Sequence, residues 1–345
     1  MSASAITLAF PSTQDVTHVV RNTYTDPSRF RGMEVLPDAA EFVTDIQVDV
    51  IDGVRGIAGP RALGGQFNQA VLTGNTLRKY ATAYWGDTYV INEKELLEAR
   101  QEGTYNQRAG YLRVLRRANE LNIRLDTLVE YLRWAAVVDG KVAVNSDATQ
   151  FEVKYDIPSQ NVIEDLDMSD AKFDVVGWIS TIQGKFRGTG AKASKIWYNL
   201  EIGQQLAQST VLRDLLKRSN DATAMTPENM STIMKKFFPS LDFEMYDEGY
   251  KAENGEYTPF IAADKYVVIG KGHEKLGDFC STLAVQNGGI EQPQPGKFSL
   301  IENKTDQDVP FIKVTVGVNG LPRLHHPEWI MRGSVLLPSS APASA

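Results

Sequence analysis

Cysteine is all but missing: Cys280 stands alone in 345 residues, so no intrachain disulfide and no multi-cysteine zinc site can form. Long apolar runs are missing too. The longest, Trp134 to Val138, falls far short of the ~18 residues a helical membrane span needs. The opening MSASAITLAF lacks a basic region followed by a long apolar stretch, so no secretory signal is read and folding is expected in the cytosol. Tandem repeats of ~20–50 residues are absent, which excludes solenoids and propellers. Low complexity is confined to the tail from Pro338 to Ala345. A surplus of basic residues is also lacking: the formal charge of -7 argues against a general nucleic-acid binder, which would neutralise phosphates with excess Lys and Arg.

What is present describes a folded protein. With 42% hydrophobic and 23% charged residues the chain can bury a sizeable core, and at roughly 150 residues per domain its length suggests about two domains. Its charge is segregated. From Gly53 to Gly86 there is no acidic residue, while Arg55, Arg61, Arg78 and Lys79 lie among scattered glycines. Immediately upstream stand Asp38, Glu41, Asp45, Asp49 and Asp52, and further acidic clusters follow from Glu164 to Asp174 and from Glu244 to Glu256. The basic segment reads either as a solvated loop or as a long arm that meets an acidic surface on another molecule.

The strongest period runs from Gln107 to Asp139. Leu112, Leu115, Leu125, Leu128, Val129, Leu132 and Ala136 recur there at helical spacing, with Arg113, Arg116, Arg117, Glu120 and Arg124 between them. This predicts an amphipathic helix on the order of 50 Å long, stopped by Asp139-Gly140 and followed by a strand over Lys141 to Val144. Ahead of it, Thr82 to Leu96 reads as an extended ribbon, which makes the basic segment part of a long two-stranded loop. Downstream, Phe173, Val176, Ile179, Ile182 and Phe186 mark a second helix with Ser169 as its N-cap. A strand over Lys195 to Leu200 then precedes a helix from about Gly203 to Arg218. Thr226, Pro227 and Pro239 punctuate a fourth helix. Extended pieces follow at Asp242 to Tyr246, Tyr257 to Ile261 and Lys265 to Gly270. Ile312, Val314, Val316 and Val318 alternate as in a half-buried strand, Asn319-Gly320 is a turn signal, and the last strand is expected over Glu328 to Leu337.

Catalytic constellations fail one by one. KYVVIGKGHEKLG, Lys265 to Gly277, carries Lys275 where a dinucleotide fingerprint needs glycine. GTGAKAS, Gly188 to Ser194, carries Ala191 and Ala193 where a Walker loop needs glycine and a hydroxyl. Asp165, Asp167 and Asp170 lack the glycine and the bidentate glutamate of a calcium loop, whose places are taken by Asp170 and Val176. His325 and His326 are adjacent, so they point to opposite faces of a strand and pair on no metal. Ser169 and Lys172 share an S-x-x-K spacing that short patterns produce by chance, and the glycosylation spacings at Asn229 and Asn303 mean little without secretion. No catalytic residue, metal or cofactor is expected.

Five segments stand in a familiar order: YWGDTYVINEKEL, LDTLVEYLRWAAVVDGKVAV, KIWYNLEIGQQLAQSTVLRDLL, FEMYDEGYKAENGEYTPFIAADKYVVIG and NGLPRLHHPEWIMRGSVLL. Across about residues 40 to 340 the chain thereby resembles the major capsid proteins of tailed double-stranded-DNA phages, in the lambda-like E family. The resemblance implies an α+β fold class, the HK97-like (Hong Kong 97) phage capsid fold. It implies an N-terminal arm over 1–54, an extended β-hairpin loop over 55–102, a peripheral domain over 103–167 and 305–345 built on the spine helix at about 107–139, and an axial domain over 168–304. The implied function is a shell subunit that forms pentamers and hexamers of an icosahedral head around packaged DNA. It would bind neither a specific DNA sequence nor a membrane, and would assemble in the host cytoplasm. The implied partners are copies of itself, a portal, decoration proteins and a scaffolding protein. The lack of an extra acidic, helical scaffolding segment ahead of Met1 points to a separate scaffold. Candidates for contact with another copy are Arg55, Arg61, Arg78, Lys79, Tyr84 and Trp85. Two rival readings are an encapsulin-like compartment shell and a nucleotide-binding α/β enzyme using the turn from Gly270 to Gly277.

Overall fold

The buried faces of the elements converge on two cores, although Leu112 of the long stripe and Val176 of the second stay exposed. The structure is a computed structural model and describes residues 11–22, 29–50, 76–80, 83–95, 106–146, 149–219, 223–252, 254–285, 293–304 and 306–338. Helix α1 (Thr13–Asn22) sinks Val16 and Val20 and is followed by the short α2 (Gly32–Val35) and strand β1 (Asp38–Ala40). Strands β2 (Ile46–Val50) and β3 (Thr76–Tyr80) pair antiparallel as the root of the basic loop, and β4 (Ala83–Ile91) follows. The long period becomes α3 (Asn106–Trp134), roughly 44 Å at ~1.5 Å per residue. It ends in a π-helical turn, Ala135–Asp139, after which Gly140 takes a φ of 65°. That left-handed position, which glycine adopts at little cost, is what stops the helix.

Hairpin β5 (Lys141–Ser146) and β6 (Thr149–Lys154) leads to β7 (Val162–Asp167), helix α4 (Val175–Lys185) and β8 (Lys192–Tyr198). Helices α5 (Leu200–Gln208), α6 (Thr210–Arg218) and α7 (Met230–Phe237) then precede β9 (Asp242–Met245), β10 (Gly249–Lys251), β11 (Tyr257–Pro259) and β12 (Lys265–Lys271). The chain closes with β13 (Gly277–Ser281), β14 (Leu283–Ala284), β15 (Gln294–Pro295), β16 (Lys297–Lys304), β17 (Phe311–Leu324) and β18 (Ile330–Leu336). One sheet runs β1-β13-β17-β16, with β4 also on β17, and the other β7-β18-β12-β8-β9. The first packs α1 and α3 into a core with Val16, Leu121, Leu125, Leu132, Val314 and Val316. The second packs α4 to α7 into a core with Trp178, Ile179, Leu206, Leu212, Ile233 and Tyr266.

Four local expectations are corrected. Asn319-Gly320 is no turn: both residues lie inside β17, where the strand passes from β4 and β16 to β13. Glycine is needed there because a Cβ on Gly320 would come within 2.6 Å of the Cys280 carbonyl oxygen. Ser169 does not cap α4. Asp174 does, accepting from the Gly177 amide at 2.9 Å, while the Ser169 hydroxyl donates to Asp167 at 2.6 Å. The helix expected over Gly203 to Arg218 is two, because Ser209 leaves the helical region and its Oγ accepts from the Leu212 amide at 3.4 Å. The last strand begins at Ile330, since Pro327–Trp329 form a 3-10 turn first. The sheets also cut across chain order. β13 and β16, within the segment expected as axial, hydrogen-bond in the sheet of β4 and β17, whereas β18 pairs with β12 and β7.

Candidate inter-subunit surface and the polar ties behind it

Four of the six contact candidates fall on described strands, β3 and β4. Arg55 and Arg61 lie outside the described residues. Arg78 and Lys79 sit on β3, where the register sets Val48 and Gln47 opposite them rather than a carboxylate. Tyr84 and Trp85 are neighbours on β4 and so point to opposite faces of the sheet. Tyr84 is 54% exposed, its ring edge-on to Phe298 at 6.3 Å. Trp85 is buried, and its indole donates to the Gly320 carbonyl at 2.8 Å. Its place is therefore in the core of its own chain, fastening β4 to β17, and Tyr84 alone of the pair offers surface. Sequence reasoning missed the apolar groups nearby. The Tyr84 hydroxyl lies 3.5 Å from the Leu283 carbonyl, and the Leu283 amide donates to the Val43 carbonyl. Val43, Phe42 and Val285 are all exposed, Phe42 by 70%. No periodic signal marks them, because they belong to short connections between strands.

Behind this surface, buried charges tie distant segments together. Glu130, on the inner face of α3, is wholly buried and accepts at one oxygen from the Gly32 amide (2.6 Å), the Trp134 indole (2.7 Å) and the Tyr246 hydroxyl (2.9 Å). Burial, reinforced by the Glu130 charge, pushes the Tyr246 phenol well above its ordinary range, so it remains a donor. Gly32 has no room for a side chain, since a Cβ would lie 2.7 Å from the same carboxylate. Arg133, three residues on from Glu130 and 3.6 Å from its second oxygen, pairs with Asp38 and lies over the Phe279 ring at 5.4 Å. Arg31 and Lys195 both sit over the Trp197 ring at 4.7 Å and share Glu34 and Glu244. These contacts bind residues 31–38 to α3 and β8.

A second tie joins β13 to β17. Arg323 makes a two-pronged pair with Asp278 at 2.8 and 2.9 Å and reaches Glu41 at 2.6 Å. Burial alone would raise the Asp278 carboxyl, but hydrogen bonds from His325 and Arg323 and their charges hold it below its ordinary value. Cys280 lies beside this pair, wholly buried, and burial pushes its thiol up to about 11. A thiol so protected from ionisation is a poor nucleophile.

The turn from Gly270 to Gly277 is filled by the protein itself. A side chain on Gly270 would meet the Phe186 ring at 2.6 Å, one on Gly272 the Trp329 ring at 2.3 Å, and one on Gly277 the Arg323 carbonyl oxygen at 2.2 Å. These glycines serve close packing, not ligand approach. Among the described residues there is no cluster of three metal-ligating side chains, and no helix is long and apolar enough to cross a membrane.

A subunit with two five-stranded sheets, one long helix and buried charges on internal ties has the architecture of a phage capsid protein, and solved structures share it. A prophage capsid structure from E. coli CFT073 superposes with a TM-score of 0.59 at 14% identity, covering 95% of this chain and 100% of that one. A phage-related protein from Bordetella bronchiseptica RB50 gives 0.55 at 9% identity over 94% and 98%. The capsid of cyanophage P-SCSP1u gives 0.50 at 9% identity over 89% and 88%. No curated protein matches the sequence. Residues 12–335 match the family model of phage major capsid protein E, and the chain belongs to that family. It is a shell-forming capsid protein and a virion component, and the family match does not favour the rival readings.

Proposed function

We propose that copies of this chain associate into pentamers and hexamers of an icosahedral head that encloses packaged double-stranded DNA, with the basic loop of each copy lying on an acidic surface of a neighbour. In this reading the core around α3 is the peripheral part of the subunit and the core around α4 to α7 the axial part. In the same reading 1–54 is the N-terminal arm and 55–102 the extended loop. Assembly in the host cytoplasm, with a separate scaffolding protein, a portal and decoration proteins, belongs to the same reading. The acidic balance suits a wall that confines DNA without gripping it. The observation that carries the reading is the ribbon root: Arg78 and Lys79 stand in a segment without an acidic residue, on a chain of net charge -7, and the register pairs them with the uncharged Val48 and Gln47.

Exposed ion pairs contribute only ~0.2 to 1 kcal/mol each, so such a contact matters little to one subunit and much to a shell that repeats it. Arg78→Glu with Lys79→Glu should therefore leave thermal stability nearly unchanged while lowering shell yield, most at low ionic strength, where repulsion is least screened. Sedimentation across a salt series, with circular dichroism as the folding control, reads both. Unaltered yield at every salt concentration would show a loop that is merely solvated.

A further inference from the structure

Among the described residues the chain passes between the two five-stranded sheets three times: through 155–161 after β6, through 272–276 between β12 and β13, and through 325–329 between β17 and β18. The three passages meet at one point. Asn161, buried in the first, donates to the carbonyls of Glu328 (2.8 Å) and Ile330 (3.2 Å). The amides of His325 and His326, in the third, donate to the Leu276 carbonyl of the second at 2.9 and 3.2 Å. The buried His326 ring lies flat on Trp329, with centroids 3.9 Å apart and an 8° tilt, and the Trp329 indole donates to the Thr189 carbonyl. On its two nitrogens His326 meets two carboxylates, Glu328 at 3.0 Å from Nδ1 and Glu274 at 2.8 Å from Nε2.

That geometry has a chemical consequence. A neutral imidazole carries one N–H, and an ionised carboxylate only accepts, so both contacts are satisfied together only by the doubly protonated ring. Removing one proton turns a nitrogen lone pair toward a carboxylate oxygen in a site largely closed to water, where an unmatched polar contact is costly. The charged groups facing His326 are Glu274 and Glu328. His273 stands behind Glu274 at 3.3 Å, with its ring 6.2 Å from that of Trp329. His325 turns the other way, to Asp278 at 3.7 Å.

We propose that this crossing between the two sheets is a proton-locked clasp, closed while His326 carries both ring protons and loosened when it loses one. Burial alone would push His326 down, but hydrogen bonds to Glu328 and Glu274 and their charges hold it above its ordinary value. The lock thus contributes fully below about pH 6.5 and is lost as pH rises through the raised value.

Hydrogen–deuterium exchange by mass spectrometry on the full chain, from pH 5.5 to 9 with intrinsic rates divided out, tests the clasp within the subunit, independently of assembly. Peptides over 272–276 and 325–329 should lose protection through one midpoint above pH 6.5, by about tenfold for each unit by which folding raises the histidine. The β8 and β17 strands should stay protected. Glu274→Gln, at a half-exposed carboxylate that the fold can spare, should move the midpoint down, and His326→Gln should erase it. Should His326→Gln fail to fold, Glu274→Gln decides. Protection that ignores pH, a midpoint unmoved in Glu274→Gln, or loss of both sheets together with the clasp would overturn the proposal.

Discussion

The two cores are built on different principles. The core around α4 to α7 is assembled largely from residues 168–268 and buries neutral groups: its polar members Asn199, Gln205 and Ser209 cap helices or bond a backbone carbonyl. The core around α3 gathers segments from both ends of the chain and buries charge, with Glu130, Arg133, Asp278 and Arg323 all under 10% exposed. Apolar burial is non-directional and scales with area, so it suffices where chain continuity already brings the partners together. Where a segment such as 31–41 must find α3 and β17 across hundreds of residues, paired and hydrogen-bonded charges accept only one arrangement. The lesson is that this subunit spends buried charge on specifying which distant segments meet.

The sharpest way to break the contrast is Glu130→Ala, which leaves the Gly32 amide, the Trp134 indole and the Tyr246 hydroxyl without their shared acceptor. Removing one partner of a buried charged network costs about 3–5 kcal/mol, and denaturant unfolding should show a loss of that size, with exchange protection falling first around residues 32–36. A loss below about 1 kcal/mol would mean that the network is dispensable. Paired cavity mutations come next. Leu132→Ala and Leu212→Ala each empty a fully buried site and should each cost ~2–5 kcal/mol. The first should loosen the N-terminal segment as well, whereas the second should leave residues 31–41 as protected as before. Equal spread of the damage from both would erase the distinction between the cores.

The smallest effect is set by pH. Because folding lowers the Asp278 carboxyl, the stability it contributes is present above the ordinary carboxylate value of ~3.9 and is lost as pH falls through the lowered one. Asp278→Asn should therefore remove about 2 kcal/mol near neutral pH, the scale of a charge-assisted hydrogen bond, and flatten the acid limb of the stability curve. Thermal melts between pH 2.5 and 7 read both features. An acid limb as steep as that of the parent protein would place the titrating carboxylate elsewhere.

Periodic signals carried most of the fold. The stripe from Leu112 to Ala136 specified α3, Asp139-Gly140 its end, and the alternation from Ile312 to Val318 the start of β17, because each depends on neighbours within a few residues. Short-range rules failed where the environment reversed them. Ser209 reads as a mid-helix residue until its backbone bends and its hydroxyl caps the next helix. Of the candidate contact residues, Tyr84 and Trp85 were equivalent in sequence, and the sheet decided which of the two faces out.

By itself, then, the sequence determined the long helix, the strand alternations, the basic ribbon in an acidic chain, and a lone cysteine with no partner to bond. These follow from composition and local spacing, which hold whatever the tertiary fold. Only the tertiary structure decided that Asn319-Gly320 continues a strand, that Glu130 receives three donors from separate segments, and that His326 lies between Glu274 and Glu328. The physical reason is common to all three. A turn propensity, a carboxylate and an imidazole each take their role from groups that lie mostly far along the chain, and no local pattern records which of those groups will arrive.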